Sequence, residues 1–511
     1  MHILTAEQTR EADRYTIEHE PIASIELMER AATRATDWIQ NFLRDYPRYD
    51  RVEVVCGIGN NGGDGLVIAR QLSQFQERPV RVTVARFSDS TSEDFQRNYE
   101  RLQEQEVEIC DAHTPEDFPD FSDSALRIDA VFGSGLNRPV EGGVAEAAVH
   151  SLNRSGGSVI AIDIPSGLFA EDNDENTPET IVRATHTLTF ERPKLAMLLD
   201  ANAPFVGTWH RLPIGLHRDF LEQVDSPYRL LTPRQARSHY RPRTRFSHKG
   251  TYGRAHLLLG GRGKMGAAVL ATHACLRAGI GLLTVQVPQC GVDVIHATLP
   301  EAMVEADPGT DCITKVSQEI NQYDAIGGGC GWGTSPQTER ALYQLLRRVE
   351  KPLVLDADAL NLLARNPDWL ALLPQGSLLT PHPKEFERLT GKAHPPYAQL
   401  QQQREWAQRY GICLIVKGAF TRIALPDGTV WFNYETGNAG MATGGSGDAL
   451  TGILTALLAQ GYPPAAAAQL GVYLHGKAGD AAAATQSPEA MLPSDLIMHL
   501  GAAFRSLGGN E

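Results

Sequence analysis

A chain of 511 residues can hold more than one core, since domains run about 100–200 residues. Its 42% hydrophobic and 21% charged content is that of an ordinary globular protein. A net charge of −14 disfavours nucleic acid as a general partner but leaves room for an anionic nucleotide at a local site.

The N-terminus, Met1-His2-Ile3-Leu4-Thr5, lacks a basic region followed by an apolar run, and no apolar run is long enough to span a bilayer. The seven cysteines are scattered and contain no C-x-x-C pair, which suits reduced thiols. A cytoplasmic protein without a membrane partner is expected. Helical patterning then runs from residue 6 to about 41. A short buried strand is expected at 52–56, followed by the glycine loop Gly57-Ile58-Gly59-Asn60-Asn61-Gly62-Gly63-Asp64-Gly65 and a helix at 66–72. Strand, glycine loop and helix open a nucleotide-binding α/β unit. Further strands are expected at 80–85, 125–131, 158–162 and 186–190. The alternation predicts a parallel sheet with helices on both faces.

Two aspartates end strands of this half. Asp129 precedes Ala130-Val131-Phe132-Gly133-Ser134-Gly135, and Asp163 lies in Asp163-Ile164-Pro165-Ser166-Gly167. Ligands of open α/β sheets bind beyond the carboxyl ends of strands, so one crevice could collect these with Asn60, Asn61 and Asp64. Asn, Asp and Ser oxygens without Cys or His suit a hard cation. The acidic stretch 171–179 reads as a solvated loop. Between about 216 and 254 the alternation breaks. Residues 232–254 carry seven basic side chains and no acidic ones, a connector or a stretch partly facing nucleotide phosphates.

Alternation resumes with strands at 255–259, 282–287, 324–326, 353–355, 378–380 and 412–416. A hairpin of 421–425 and 431–433 turns at Pro426-Asp427-Gly428. Helices are expected at 267–279, 449–459 and, Ala-rich, 464–475. Gly327-Gly328-Gly329-Cys330-Gly331 follows a strand. His382 stands between two prolines, a structural residue or a substrate contact, and Lys417-Gly418 ends a strand where phosphate or ribose could be met. The most telling stretch is 437–448, Gly-Asn-Ala-Gly-Met-Ala-Thr-Gly-Gly-Ser-Gly-Asp. Five glycines in twelve residues suit a loop whose amides hold an anion, and it runs into a helix N-terminus. Asp448, where that helix begins, is placed to take a proton from a hydroxyl attacking a phosphoryl group.

These motifs resemble the bifunctional NAD(P)H-hydrate repair family, and the resemblance covers nearly the whole chain. Stretches 10–14 and 27–32 look like its N-terminal helices, 59–65, 129–135 and 163–167 like its epimerase motifs, and 248–254, 380–386 and 437–448 like its dehydratase. The resemblance implies a Rossmann-like three-layer α/β/α epimerase domain over 1–218. A linker over 219–254 and a ribokinase-like α/β dehydratase domain over 255–511 would follow. It implies an epimerase substrate site of Asn60, Asn61, Gly62, Gly63, Asp64 and Asp163, continued by Gly133, Ser134, Gly135, Leu136, Asn137, Arg138 and Pro139. Asn61, Asp129 and Ser166 match potassium ligands. In the dehydratase, Ala267, Gly331, His382 and Asp448 match substrate contacts. Lys417, Gly418, Ala419, Phe420, Thr421 and Gly447 match the nucleotide site. Two departures stand out: Gly328 where the family commonly has proline, and Lys384 where it commonly has glycine.

The implied chemistry is interconversion of the R and S hydrates of NADH and NADPH (NADHX and NADPHX), with Asp163 in the epimerase centre. Dehydration of the S epimer follows, with Asp448 as base, ADP as co-substrate becoming AMP, and Mg²⁺ expected with the nucleotide. A homo-oligomer is expected. Two rivals remain open on the residues alone: a sugar or vitamin kinase, and an N-terminal half that only binds nucleotide or a partner.

Overall fold

The structure, a computed structural model, describes residues 1–75, 77–154 and 156–508. The chain forms two compact units, His2–Tyr228 and Arg229–Glu511, Met1 going with the second.

The first unit holds a seven-stranded sheet: β1 (Arg51–Cys56), β2 (Val80–Ala85), β3 (Glu108–Ala112), β4 (Ala125–Ala130), β5 (Val159–Ile162), β6 (His186–Phe190) and β7 (Thr208–Leu212). Its order is β3-β2-β1-β4-β5-β6-β7, and every neighbouring pair is parallel. The interior strands are Val- and Ile-rich because helices cover both faces; all six residues of β4 are buried. From β1 the chain winds one way through β2 and β3, then crosses back to β4, so the order reverses between β1 and β4. A crevice opens beyond the strand ends at such a point. β3 and β7 escape a sequence reading because they are half-exposed edges with polar residues, Glu108-Ile109-Cys110-Asp111 and Thr208-Trp209-His210-Arg211.

Two local features differ from expectation. The helical stretch 6–41 is two helices, Ala6–His19 and Ser24–Asp45, interrupted at Glu20-Pro21. The first is opened by a capping box, in which the Thr5 hydroxyl accepts from the Gln8 amide at 3.1 Å and Gln8 Oε1 accepts from the Thr5 amide at 3.1 Å. The glycine loop is also shorter than read, since the helix already begins at Asn60 and runs to Phe75. Gly65 lets it lie on the sheet: a Cβ there would stand 2.6 Å from Ala130 Cβ and 2.7 Å from Cys56 Sγ.

The second unit holds a ten-stranded sheet. Its strands are β8 (Tyr228–Leu231), β9 (Arg254–Leu258), β10 (Leu282–Val287), β11 (Met303–Ala306), β12 (Ala325–Gly328), β13 (Leu353–Leu355), β14 (Leu378–Leu379), β15 (Cys413–Val416), β16 (Thr421–Ala424) and β17 (Val430–Asn433). The order is β11-β10-β9-β12-β13-β14-β15-β16-β17-β8. Pairing is parallel from β11 to β15 and antiparallel across β15, β16 and β17. Here the order reverses between β9 and β12. The helix Ser446–Ala459 is buried on nearly every side, against the sheet and the helix Met265–Arg277.

The stretch expected as a linker, 219–254, is not bare chain. It carries the helix Arg218–Gln223, β8 and the helix Pro233–His239, and β8 pairs at the edge of the second sheet. Two of its arginines pack on helix ends of the second unit. Arg241 donates to Gly461 O at 3.3 Å and lies over the Tyr462 ring at 4.9 Å, while Arg243 donates to Gly279 O and lies over Tyr252 at 3.9 Å. Gly279 and Gly461 follow the C-terminal ends of the helices Met265–Arg277 and Ser446–Ala459. Those ends carry the unpaired carbonyls and the negative pole of each helix dipole, opposite the end that attracts phosphate.

Candidate functional site

A cavity of about 1280 Å³ opens beyond β1 and β4 in the first unit. Asn60, Asn61, Asp64, Asp163 and all seven residues of 133–139 line it. Gly62 and Gly63 are buried behind it, in the first turn of the helix that points at the cavity.

Asp163 follows β5 with φ +68°, a left-handed conformation that costs a non-glycine residue roughly 1–3 kcal/mol and concentrates at functional sites. Its amide donates to Leu188 O at 2.7 Å, and its Oδ2 accepts from the Ser134 amide at 3.2 Å. Its Oδ1 is paired with the ammonium of Lys194, which is 3% exposed and also donates to Thr189 Oγ1 at 3.2 Å. Burial would raise the Asp163 carboxyl; Lys194 and the Ser134 bond outweigh it and hold it below the usual carboxylate range. Two further carboxyls share the cavity. Burial, then Asp163, pushes Asp13 up to about 7, partly countered by Lys194. Burial, Asp163 and Asp13 push Asp64 well above its ordinary value. Three carboxyls thus face one ammonium, and such a cluster keeps protons at neutral pH.

Beside it lies a cradle of oxygens. Asp129 is wholly buried and accepts from Ser166 N at 2.8 Å, Ser166 Oγ at 2.5 Å and Val131 N at 3.2 Å. Burial lifts its carboxyl to about 6 against those three bonds. The Phe132 amide donates to Ser166 Oγ at 2.8 Å. Next along that loop, a Cβ on Gly133 would stand 3.2 Å from Cβ of Asn61, whose buried amide oxygen and nitrogen both lack a partner. An orphaned buried amide is costly unless something meets it. Neutral and anionic oxygens of this kind suit a hard cation. Among the described residues, no group of three or more His, Cys, Asp and Glu side chains is arranged to hold a metal ion.

In the second unit, the loops after β9, β12, β13, β14 and β15 converge on the N-terminus of the helix Ser446–Ala459. Gly445 precedes it with φ +104°, a conformation open to glycine. Asp448 lies in the first turn, where amides and dipole favour an anion. Burial pushes its carboxyl up to about 6; a bond from the Cys330 thiol and the nearby Lys417 pull it down, and Asp356 pushes it up. Lys417 Nζ donates to Asp356 Oδ1 at 2.9 Å and Oδ2 at 3.2 Å, and stands 4.0 Å from Glu385 Oε2. Burial acts to lower the Lys417 ammonium, but Asp356 and Glu385 outweigh it and hold it above its ordinary value.

His382 has a structural duty. Its Nδ1 accepts from the amides of Lys384 at 3.1 Å and Glu385 at 3.4 Å, capping the helix Pro383–Thr390. Its Nε2 stands 3.5 Å from Glu385 Oε1, and burial depresses its pKa ahead of the opposing pull of Glu385. Gly331 (φ +73°) sets the loop after β12 against the loop after β9, where a Cβ would stand 2.8 Å from Lys264 O. In the helix Met265–Arg277, Ala267 is part-exposed while Ala268 is wholly buried. Gly418 and Ala419 are exposed in the β15–β16 turn, flanked by part-exposed Phe420 and Thr421. Gly447 packs against Lys417, since a Cβ on it would stand 3.1 Å from Nζ.

The structure adds Asp13 and Lys194 to the first site, and Asp356, Glu385, Lys264 and Asp358 to the second. Lys264 Nζ meets Asp358 Oδ2 at 3.1 Å, and the same oxygen accepts from the Gly333 amide at 2.7 Å. Asp356 carried one usable signal, a carboxylate directly after a buried strand. Glu385 lay inside the 380–386 motif. Asp13 lay inside the 10–14 stretch without being marked as a site residue, and Lys194 carried no signal, because the fold alone brings it to Asp163.

Comparison with known proteins places the chain in a family. The family model described as NAD(P)H-hydrate dehydratase matches residues 255–501, and that of the YjeF-related protein N-terminus matches 24–196. The bifunctional NAD(P)H-hydrate repair enzyme Nnr of Moorella thermoacetica is 35% identical, over 99% of this chain and 97% of its own length. The enzyme of that name from Escherichia coli is 32% identical, over 97% and 92%. Among solved structures, the ADP/ATP-dependent NAD(P)H-hydrate dehydratase of Bacillus subtilis, co-crystallised with ATP/Mg²⁺, is 31% identical with a TM-score of 0.46. It matches 55% of this chain and 98% of its own. A ribokinase-like superfamily protein of Enterococcus faecalis is 27% identical with a TM-score of 0.48, over 56% and 98%. The chain belongs to the bifunctional NAD(P)H-hydrate repair enzyme family.

Proposed function

We propose that this protein repairs hydrated nicotinamide cofactors. The first unit epimerises R and S NADHX and NADPHX, and the second dehydrates the S epimer to NAD(P)H, consuming ADP and releasing AMP and phosphate. The observation that carries the reading is the likeness to the repair enzymes along almost the whole chain, with a charged, built site in each half.

In the first unit the reacting carbon carries a hydroxyl and a ring nitrogen. Losing and regaining that hydroxyl inverts the centre. A protonated carboxyl beside it eases departure of oxygen, and the Asp13–Asp64–Asp163 cluster with Lys194 supplies one. Asn61, Asp129 and Ser166 fit a potassium ion, with the unpartnered Asn61 amide oxygen as the free ligand. A bound cation there would fix the 131–135 loop that lines the cavity.

In the second unit Asp448 accepts the proton of the ring hydroxyl as the β-phosphoryl group of ADP is transferred to it. The amides at the start of the helix Ser446–Ala459 face the moving charge. Phosphate then departs, driven by the ring nitrogen lone pair, and the dihydropyridine returns. Lys417 to Thr421 and Gly447 hold the nucleotide; Ala267, Gly331 and His382 contact the hydrate. Mg²⁺ bound with the nucleotide would neutralise charge on its phosphates.

The reading includes cytoplasmic residence and a homo-oligomer. The Cys56, Cys275, Cys330 and Cys413 thiols, all buried and free, suit the former. Among the described residues no helix is long and apolar enough to cross a membrane. The test is incubation with mixed R and S NADPH hydrate, ADP and Mg²⁺. Full return of dihydronicotinamide absorbance is expected. Return of only the S fraction, corrected for spontaneous epimerisation, would remove the epimerase; no return with a stable phosphorylated product would make the second unit a kinase.

A further inference from the structure

In the second site the chemistry above gives Lys417 a role but none to Asp356, the buried carboxylate it is paired with. Asp356 follows β13 and is 2% exposed. Its Oδ1 accepts from the Ala357 amide at 2.7 Å and from Lys417 Nζ at 2.9 Å. Its Oδ2 accepts from Lys417 at 3.2 Å and from Thr451 Oγ1 at 3.2 Å. Thr451 lies three residues past Asp448 on the same helix, so this carboxylate is tied to the element that carries the base. Its backbone is as constrained as its side chain. Ala357 has φ +50°, and Gly329 (φ +113°) packs so closely that a Cβ would stand 1.9 Å from Asp356 O. Strain at a non-glycine residue persists only where the surroundings over-determine it, and it gathers at functional positions. A buried ion pair is poor evidence of stabilisation, because apolar residues of similar volume often serve the fold as well. This pair does something else: it sets an ammonium against Gly447, in the phosphate-facing turn next to Asp448.

We propose that Asp356 is a positioning residue for phosphoryl transfer, holding the Lys417 ammonium where it faces the β-phosphoryl group on its way from ADP to the ring hydroxyl. The inference rests on the dehydratase reading of this site. In the step, the bond from the β-phosphorus to the bridging oxygen of ADP breaks and a bond to the ring oxygen forms. The hydroxyl proton passes to Asp448, AMP leaves, and Lys417 keeps its protons while stabilising charge on the equatorial oxygens. An untethered lysine would spread over many rotamers; the Asp356 fork fixes it before substrate arrives.

The full-length protein is assayed with pure S NADPH hydrate, ADP and Mg²⁺, following dihydronicotinamide absorbance. Asp356→Asn keeps the shape and loses the charge. It should lower kcat by on the order of 10²-fold while KM for ADP stays within about threefold. The decisive readout is the double-mutant cycle. In a Lys417→Met background, Asp356→Asn should cost no more than about threefold, because the group it positions is gone. Should Asp356→Asn not fold, Thr451→Val removes one bond to the same carboxylate. It should lower kcat several-fold alone and leave Lys417→Met unchanged. A kcat of Asp356→Asn within about threefold of wild type, or losses that multiply in the double variant, would overturn the proposal. Absence of dehydration by the wild-type protein would instead remove the reading on which it rests.

Discussion

Asp448→Asn tests the base of the second site most directly. The amide preserves shape and the helix-opening position but cannot accept a proton from the ring hydroxyl. Removing a general base costs about 10²–10⁴-fold. The structure adds a second, independent magnitude. With the carboxyl lifted to about 6, it is about nine-tenths ionised at pH 7 and about one-tenth at pH 5. Wild-type kcat/KM should therefore fall about tenfold from pH 7 to pH 5, because only the ionised form accepts the proton. The residual rate of Asp448→Asn should lack that acid limb. The assay follows absorbance recovery from pure S hydrate with saturating ADP and Mg²⁺, corrected at each pH for the enzyme-free reaction. Epimerisation by the same preparation should be intact, since Asp163 and Lys194 are untouched. Dehydration by Asp448→Asn within tenfold of wild type, or the same acid limb in both proteins, would refute the assignment.

Three further outcomes are expected. Asn61→Ala or Asp129→Ala should impair R-to-S conversion, measured by separating the epimers with potassium varied against a larger cation, and spare dehydration of pure S hydrate; normal epimerisation without potassium dependence would mean that the oxygen cradle has another use. Initial rates free of contaminating kinase should favour ADP over ATP, and equal or faster turnover with ATP would contradict this. Asp13→Asn should stabilise the first unit above pH 7: an acid whose folded pKa is raised from 3.8 to about 7 contributes stability that is full below the unfolded value and lost as pH rises through the folded one, on the order of 4 kcal/mol across that span. Its melting temperature gain should thus be large at pH 8 and vanish near pH 4; an equal gain at both would mean that Asp13 is not held protonated.

How much was legible follows from which residues act through neighbours in sequence. The 437–448 stretch announces a phosphate loop because backbone geometry, glycine content and the adjoining helix all lie within one segment. Asn60, Asn61 and Asp64 are legible for the same reason. Their glycines are helical residues rather than loop, since small residues also serve close packing of helix on sheet, as Gly65 does against Ala130. Lys194 is different. It lies 31 residues beyond Asp163 and meets it only because the chain returns through β6. Asp13 arrives from the N-terminal helix and Asp356 meets Lys417 across 61 residues. Such long-range pairs leave no periodic trace. Edge strands are illegible for another reason: β3 and β7 bury one side only weakly and carry polar residues that read as loop.

On the proposed reading the two sites meet one chemical difficulty, a hydroxyl that leaves poorly, with opposite electrostatics. The first gathers Asp13, Asp64 and Asp163 around a single lysine, so protons are retained where a hydroxyl must be helped off and returned. In the second, the Cys330 bond and Lys417 offset part of the upward push of burial and Asp356, so Asp448, at about 6, stays ionised near neutral pH and can take a proton. Elimination there is made possible by exchanging hydroxide for phosphate as the leaving group. Moving either charge pattern into the other fold would defeat both: extra acid at Asp448 would suppress the base, and a second lysine beside Asp163 would strip the protons that the first site retains.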